Sequence, residues 1–320
     1  MRAACIRKHG GPEELRVEHL PVPSCGDEQV LIEVKAAGVN PVDTYIRAGN
    51  FQTRQMPYIP GLDAAGLVHA VGKNVTEFKK GDRVFCCLGD GCYAEYCTSS
   101  VNTCWHLANN ITFSQGAAMG VPYCTAYRCL FQRAHTTPAD VVLVHGASGA
   151  VGTAAVQICK ALGITVYGTA GTTDGLRLVK NLGATQVFNH REKDYIDKIK
   201  AAAGDSGVTV ILEMLADKNL QTDLELIAQG GTIVIIGARG TTEVNPGLYM
   251  HKECAVMGVL LFYAKPHEWR QMGPFLNAGL ANGTLRPVID KTYQLEKAAQ
   301  SHIDVIEHSS GSKGKIILDV

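Results

Sequence analysis

The sequence predicts a two-domain α/β protein, a doubly wound parallel sheet inserted into a smaller β-rich domain, on three observations. The chain has 320 residues, 46% of them hydrophobic and 19% charged. That is enough for two cores at roughly 100–200 residues per domain, and too apolar for a disordered chain. Between Asp140 and Leu261 short β-branched runs alternate with helical segments, the pattern of a parallel sheet covered on both faces. Residues 1–115 and the tail from 262 carry short β runs broken by glycine and proline, which suits a compact, irregular β barrel. The expected domains are 116–261 and, as one discontinuous unit, 1–115 with 262–320.

Each element follows from its local pattern. EQVLIEVKAAG (28–38), GLDAAGLVHAVG (61–72), FKKGDRVFC (78–86) and GCYAEYCTS (91–99) read as barrel strands. DVVLVHG (140–146) is the first buried-strand run, and GAVGTAAVQICKALG after it has Val151, Ala155, Val156 and Cys159 at helical spacing. TVYGTA (165–170) precedes the helix TTDGLRLVKNLG, and TQVFN (185–189) precedes REKDYIDKIKAAAG, which ends on Gly204. VTVILEML (208–215) is the fourth strand, with a helix in NLQTDLELIAQGG. TIVIIG (232–237) and CAVMGVLL (254–261) complete six strands. The tail predicts a helix in PHEWRQMGPFLNAGLANG, an edge-type segment RPVIDKTYQL, a helix in EKAAQSHIDVIEH and a closing strand GKIILDV.

Thirty basic residues balance thirty acidic ones, so no electrostatic funnel draws in a nucleic-acid backbone. The longest apolar stretch, Cys254 to Ala264, is far short of the ~20 residues that cross a bilayer. The opening MRAACIRKHG turns polar before a signal-peptide core forms. The expectation is a soluble, cytoplasmic protein with no membrane partner and little affinity for RNA. Eleven cysteines, an odd number, suit a reducing compartment. Five of them are Cys86, Cys87, Cys92, Cys97 and Cys104. Their spacing lacks the short CxxC pairs of a structural zinc site, so they read as small hydrophobes.

Gly146-Ala147-Ser148-Gly149-Ala150-Val151-Gly152 lies between the first strand of the middle region and its helix. Glycines there let the backbone approach a pyrophosphate, while the helix N-terminus offers free N–H donors and a positive dipole end. In a strand–loop–helix context this reads as dinucleotide binding, although the spacing is G-x-x-G-x-x-G rather than G-x-G-x-x-G. Enzymes that use NAD place an Asp or Glu on the adenosine ribose at the end of the second strand. Here that strand ends Gly168-Thr169-Ala170-Gly171, with no carboxylate to repel a 2′-phosphate. Asn189-His190-Arg191, at the end of the third strand, are placed to reach such a phosphate, so NADPH is the expected cofactor. Asp174 argues mildly the other way, but it sits at a helix start, where an acid is favoured in any case.

AAGVNPVDTYIRAG (36–49), FKKGDRVF (78–85), GVPYCTAYRCL (120–130), VLVHGASGAVG (142–152), VFNHRE (187–192) and EMLADKNL (213–220) carry a specific likeness. From residue 1 to residue 320 the chain resembles the zeta-crystallin-type NADPH:quinone oxidoreductases, the zinc-free branch of the medium-chain dehydrogenase/reductase superfamily. The resemblance implies a Rossmann-type NADPH-binding domain inserted into a GroES-like catalytic domain. It also implies cofactor contacts: Tyr45 beside the nicotinamide, Ser148, Gly149, Ala150 and Val151 at the pyrophosphate, and Gly171 and His190 near the 2′-phosphate. Asn219 matches a further contact, and Ile236, Gly237, Ala238 and Arg239 with Val259, Leu260 and Leu261 match the nicotinamide end. Ala150 replaces a glycine usual in that turn, and its methyl is expected to narrow the phosphate path.

Where zinc-dependent relatives carry a cysteine ligand and a Gly-His-Glu motif, this chain has Asn40 and Gly61-Leu62-Asp63, so no metal is expected. The implied reaction is reduction of small quinones by NADPH in a cleft between the domains, with electrons passing singly to give semiquinones. Asn40 and Tyr45 are expected to hydrogen-bond the quinone oxygen, with Thr125 a weaker candidate from the cleft floor. Two alternatives stay open: reduction of α,β-unsaturated ketones or aldehydes, and a crystallin-like structural or AU-rich RNA-binding role. The apolar sixth strand, at a sheet edge, predicts pairing across a two-fold axis and hence a homo-oligomer, dimer or tetramer.

Overall fold

Residues 1–51, 54–307 and 311–320 are described by the structure, a computed structural model. β1 (Arg2–Cys5) and β2 (Arg16–His19) pair as an antiparallel ribbon that the sequence pattern does not announce. β3 (Gln29–Val39) leads into α1 (Pro41–Ala48), whose start is fixed by Pro41 and by the Asp43 carboxylate, which accepts the Asn40 N–H at 2.9 Å. β4 (Asp63–Val71), β5 (Arg83–Cys87), β6 (Tyr96–Ser100) and β7 (Cys104–His106) follow, then α2 (Phe113–Ala117) and α3 (Gly120–Tyr127). A π-helical turn, Arg128–Arg133, continues from α3.

The middle of the chain alternates as its sequence predicts. In order it forms β8 (Val141–Val144), α4 (Ala150–Ala161), β9 (Thr165–Ala170), α5 (Thr173–Leu182), β10 (Gln186–Asn189) and α6 (Tyr195–Ala203). It continues through β11 (Val208–Glu213), α7 (Ala216–Leu226), β12 (Ile227–Ile235), α8 (Pro246–Lys252) and β13 (Ala255–Gly258). The tail adds α9 (Pro266–Ala281), β14 (Ile289–Gln294), α10 (Ala298–Glu307) and β15 (Lys315–Asp319).

Two compact units result, Met1–Cys124 with Lys265–Ser309 and Gly314–Val320, and Thr125–Ala264 with Ser310–Lys313. The crossover falls inside α3 rather than at residue 115, because α2 and the start of α3 pack on the first unit: Ala117 is buried and the Val121 N–H donates to Asp63 at 2.7 Å. In that unit a seven-stranded sheet runs β14-β15-β3-β4-β5-β7, with β6 also on β3. Its core gathers Ile32, Val34, Val84, Tyr93 and Leu318.

In the second unit six strands lie in the order β10-β9-β8-β11-β12-β13, every neighbouring pair parallel. This is the doubly wound order, in which the chain starts at the middle of the sheet and winds outwards both ways. Leu143, Tyr167, Ile199, Ile211 and Ile233 form the core between sheet and helices; fully burying each such side chain stabilises by about 1.5–3 kcal/mol. The sixth strand is shorter than predicted. β13 stops at Gly258, paired with Ile235, where β12 also ends, and Leu261–Tyr263 turns into a 3₁₀ helix.

Candidate functional site

Because the second sheet is wholly parallel, whatever follows each of its strands emerges at one edge, the edge where open α/β sheets bind ligands. Ser148, Gly149, Ala150 and Val151 follow β8, Gly171 follows β9, and His190 follows β10. Asn219 lies on α7, just past β11, Ile236 to Arg239 follow β12, and Val259 to Leu261 follow β13. The cofactor residues expected in this unit therefore share one side of one sheet.

The phosphate loop is tied to its neighbour β9. The Gly146 N–H donates to Thr169 Oγ1 at 3.2 Å and the Ala147 N–H to the Thr169 carbonyl at 2.8 Å. Ser148 is buried, and Gly149 caps α4. The first intrahelical bond is Thr153 to Gly149 at 2.8 Å, so the N–H groups of Ala150, Val151 and Gly152 precede it and are open to an anion. A β-carbon on Gly152 would fall 2.5 Å from the Ala147 backbone, so glycine is required there for the helix to sit against the loop. Ala150 is half-buried at the first helical position.

One end of this edge is cationic. Asn189 pairs with Ala170, and a β-carbon on Gly171 would lie 2.7 Å from His190 Nε2 and 3.0 Å from Arg191 Nε. Imidazole and guanidinium thus converge over a residue without a side chain. Partial burial, then the charges of Arg191 and His145, push the His190 imidazolium below its ordinary value. Asp174 is exposed and lies 3.6 Å from Arg177 and 3.5 Å from Lys313. Sequence reasoning missed Lys313, whose short segment belongs to this unit although it follows the last helix of the chain.

Under the loop lies a second group the sequence reading did not use. His145 Nε2 sits 2.8 Å from Asp223 Oδ1 and 3.6 Å from Glu213 Oε2, and all three residues are buried. Asn219 Nδ2 donates to both Glu213 oxygens at 3.2 Å, and the Leu215 N–H donates to the same carboxylate. Burial pushes the Glu213 carboxyl up to about 7. Burial opposes charge on His145 too, but the Asp223 hydrogen bond and the two carboxylates hold the imidazolium above its ordinary value.

In the first unit Asn40 is 3% exposed and belongs to a closed network. Its Nδ2 donates to Asp63 Oδ2 at 2.9 Å, and its Oδ1 accepts from Lys315 Nζ. The Lys315 ammonium also lies 2.8 Å from Asp63 Oδ2. Tyr45 is half-buried on α1, and Thr125 is buried on α3. The Cys86, Cys92 and Cys97 sulfurs lie within 4.8 Å of one another, and Cys104 faces Cys86 across β5 and β7. Strand pairing brings these thiols together where local spacing does not, and they sit in the apolar core.

Comparison with known proteins covers both units. A model of the alcohol dehydrogenase GroES-like domain matches residues 26–143, and one of the zinc-binding dehydrogenases matches residues 150–278. The quinone oxidoreductase of Rattus norvegicus is 50% identical over 99% of this chain and 97% of its own length; that of Homo sapiens is 49% identical over the same shares. The solved structure of Escherichia coli quinone oxidoreductase complexed with NADPH is similar with a TM-score of 0.91 at 28% identity, covering 100% of both chains. An NAD-dependent alcohol dehydrogenase is similar with a TM-score of 0.91 at 29% identity, again over 100% of both chains. A GroES-like unit and a doubly wound dinucleotide unit define a medium-chain dehydrogenase/reductase. At this identity along its whole length, the chain belongs to the quinone oxidoreductase family.

The zinc that one of those family models names finds a poor donor set here. At the two positions expected to match zinc ligands stand an amide and a carboxylate, and Lys315 places an ammonium between them. A catalytic zinc needs three suitable ligands and an open position; a cation already neutralises this carboxylate.

Proposed function

We propose that this chain is an NADPH-dependent quinone reductase whose second unit holds the dinucleotide along the carboxyl edge of its sheet. The observation that carries the reading is the convergence of Gly171, His190 and Arg191 beside a strand end with no carboxylate. Those groups suit a 2′-phosphate, and the free N–H groups at the start of α4 suit the pyrophosphate. Ile236 to Arg239 and Val259 to Leu261 would hold the nicotinamide end.

When bound, NADPH supplies the reducing electrons. The protein's own part is positioning, which brings donor and acceptor into contact and removes the entropic cost of encounter. A quinone needs no Lewis acid, because reduction restores aromaticity and water delivers the protons. Tyr45 and Asn40 hydrogen-bond the quinone oxygen in this reading, Asn40 through the second N–H of an amide whose first donates to Asp63 and whose oxygen accepts from Lys315; Thr125 is a further contact. The same reading gives a homo-oligomer paired through β13, an edge strand whose Ala255, Val256 and Met257 are half-buried.

No helix among the described residues is long and apolar enough to cross a membrane, and the unpaired thiols fit a reducing, cytoplasmic setting. Initial rates with NADPH on a 1,2-naphthoquinone and on an alkenal of similar size test the assignment. The quinone is expected to be reduced with the higher kcat/KM, and a wide preference for the alkenal would overturn it.

A further inference from the structure

The parallel sheet sets β8 beside β11, so the residue after β8 and the last residue of β11 meet at the sheet edge. These are His145, immediately before the phosphate loop, and Glu213; α7 brings Asp223 to the same point. The group holds one imidazole and two carboxylates, so full ionisation leaves one negative charge without a partner. Asp223 Oδ2 is buried and accepts no hydrogen bond. A buried charge of that kind is costly, and taking up a proton removes the cost.

We propose that His145, Glu213 and Asp223 share protons as one unit that orients Asn219 and sets the charge beneath the dinucleotide's pyrophosphate. The inference rests on the dinucleotide reading above, and it concerns positioning residues rather than groups that touch substrate. A carboxylate only accepts hydrogen bonds, so the Asn219 NH₂ must face Glu213. Its carbonyl oxygen is then left as an acceptor for a hydroxyl or amide donor of the bound nucleotide. Glu213 also fixes the turn into α7 through the Leu215 N–H.

With Glu213 protonated, His145 and Asp223 compensate each other and the unit is neutral. With Glu213 ionised, the unit carries −1 at the sheet edge, where His145 leads directly into the loop proposed to hold the phosphates. Its upward-shifted carboxyl places this change near neutral pH. The other titratable groups facing the cluster are Tyr195 on α6, whose phenol is held above its ordinary value by burial, then by Asp223 and Glu213, and His190 after β10, which feels the charge on His145. Nucleotide affinity therefore falls as pH rises through the Glu213 transition.

The test measures dissociation constants of NADPH and NADH, from nucleotide fluorescence, between pH 5.5 and 8.5 on the whole protein and on Glu213→Gln. In the wild type both nucleotides should weaken by about tenfold across the range, the order expected of one unit charge about 12 Å away at an effective dielectric near 20. Glu213→Gln keeps the acceptor for Asn219 and Leu215 but cannot ionise, so its profiles should be flat. NADH lacks the 2′-phosphate, which separates this effect from any titration of His190. A flat wild-type NADH profile overturns the proposal whether or not the variant folds, and so does a fall that persists in Glu213→Gln. Failure of both nucleotides to bind at any pH would overturn the dinucleotide reading itself, and this unit's role with it.

Discussion

The two units each bury an ionic cluster, and the clusters are built on opposite principles. In the first, Lys315 and Asp63 are 2% and 0% exposed and opposite in charge. Asp63 accepts from Lys315, from Asn40 at 2.9 Å and from the Val121 N–H at 2.7 Å, so its buried charge is well satisfied. In the second, one imidazole serves two carboxylates, and an Asp223 oxygen is left over. A balanced pair holds a fold in place, although burial still pushes the Asp63 carboxyl up against the opposing pull of Lys315. An unbalanced one answers to pH, and it lies under the loop where a ligand's charge would be felt.

Breaking the balanced cluster should give the largest effect. Lys315→Met leaves Asp63 buried without its cation, which should cost about 3–5 kcal/mol in urea denaturation. Adding Asp63→Asn, which keeps an acceptor for Val121, should recover more than half of the loss. A double variant as unstable as the single one would show that packing rather than charge decides.

A further buried chain shows that the first unit answers to pH as well, at groups other than the Lys315 pair. Arg47 donates to His302 Nδ1 at 3.0 Å, His302 Nε2 lies 3.2 Å from the Tyr93 hydroxyl, and Tyr93 donates to Asp43 at 2.9 Å. Burial, then Arg47, push His302 down to about 3. The neutral ring therefore stabilises the fold fully above its unfolded value near 6.5, and that contribution is lost as pH falls towards 3. Asp43, raised to about 7 by burial, works the other way: its protonated form is favoured in the fold, a contribution lost as pH rises through 7. Comparing wild type with His302→Gln isolates the histidine. The wild type should lose stability relative to the variant by about 1.4 kcal/mol per pH unit below 6.5, read from urea midpoints; a constant difference would assign His302 no titration.

The smallest expected effect is at the exposed end of the second unit. NADPH should bind more tightly than NADH, and His190→Ala should narrow that ratio by about tenfold, the worth of one charge-assisted hydrogen bond. An unchanged ratio would remove His190 from the phosphate site.

The six strands were legible in the sequence because each is a continuous apolar run, as strands buried on both faces must be. β12 starts earlier than predicted, at Ile227, since IAQGG has glycines where a strand normally shows apolar residues. The substitution of Asn40 and Asp63 for expected zinc ligands was readable, but their partner was not. Lys315 opens the last strand, and a lysine there ordinarily points to solvent. The cluster below the loop left one trace, Glu213 inside the apolar run VTVILEML. Only the sheet order, which puts β8 beside β11, shows what that acid meets.

The thiols carry a last consequence. Nine of the eleven cysteines are buried, and only Cys25 and Cys254 are half-buried. Burial pushes Cys159 up to about 12, and a thiol must ionise and be reachable before it reacts as a nucleophile. Quinones are alkylating agents as well as oxidants, so a catalyst that handles them is steeped in a poison for its own sulfur. By folding nearly all of that sulfur inside, this protein would be made durable against the quinones it is proposed to reduce.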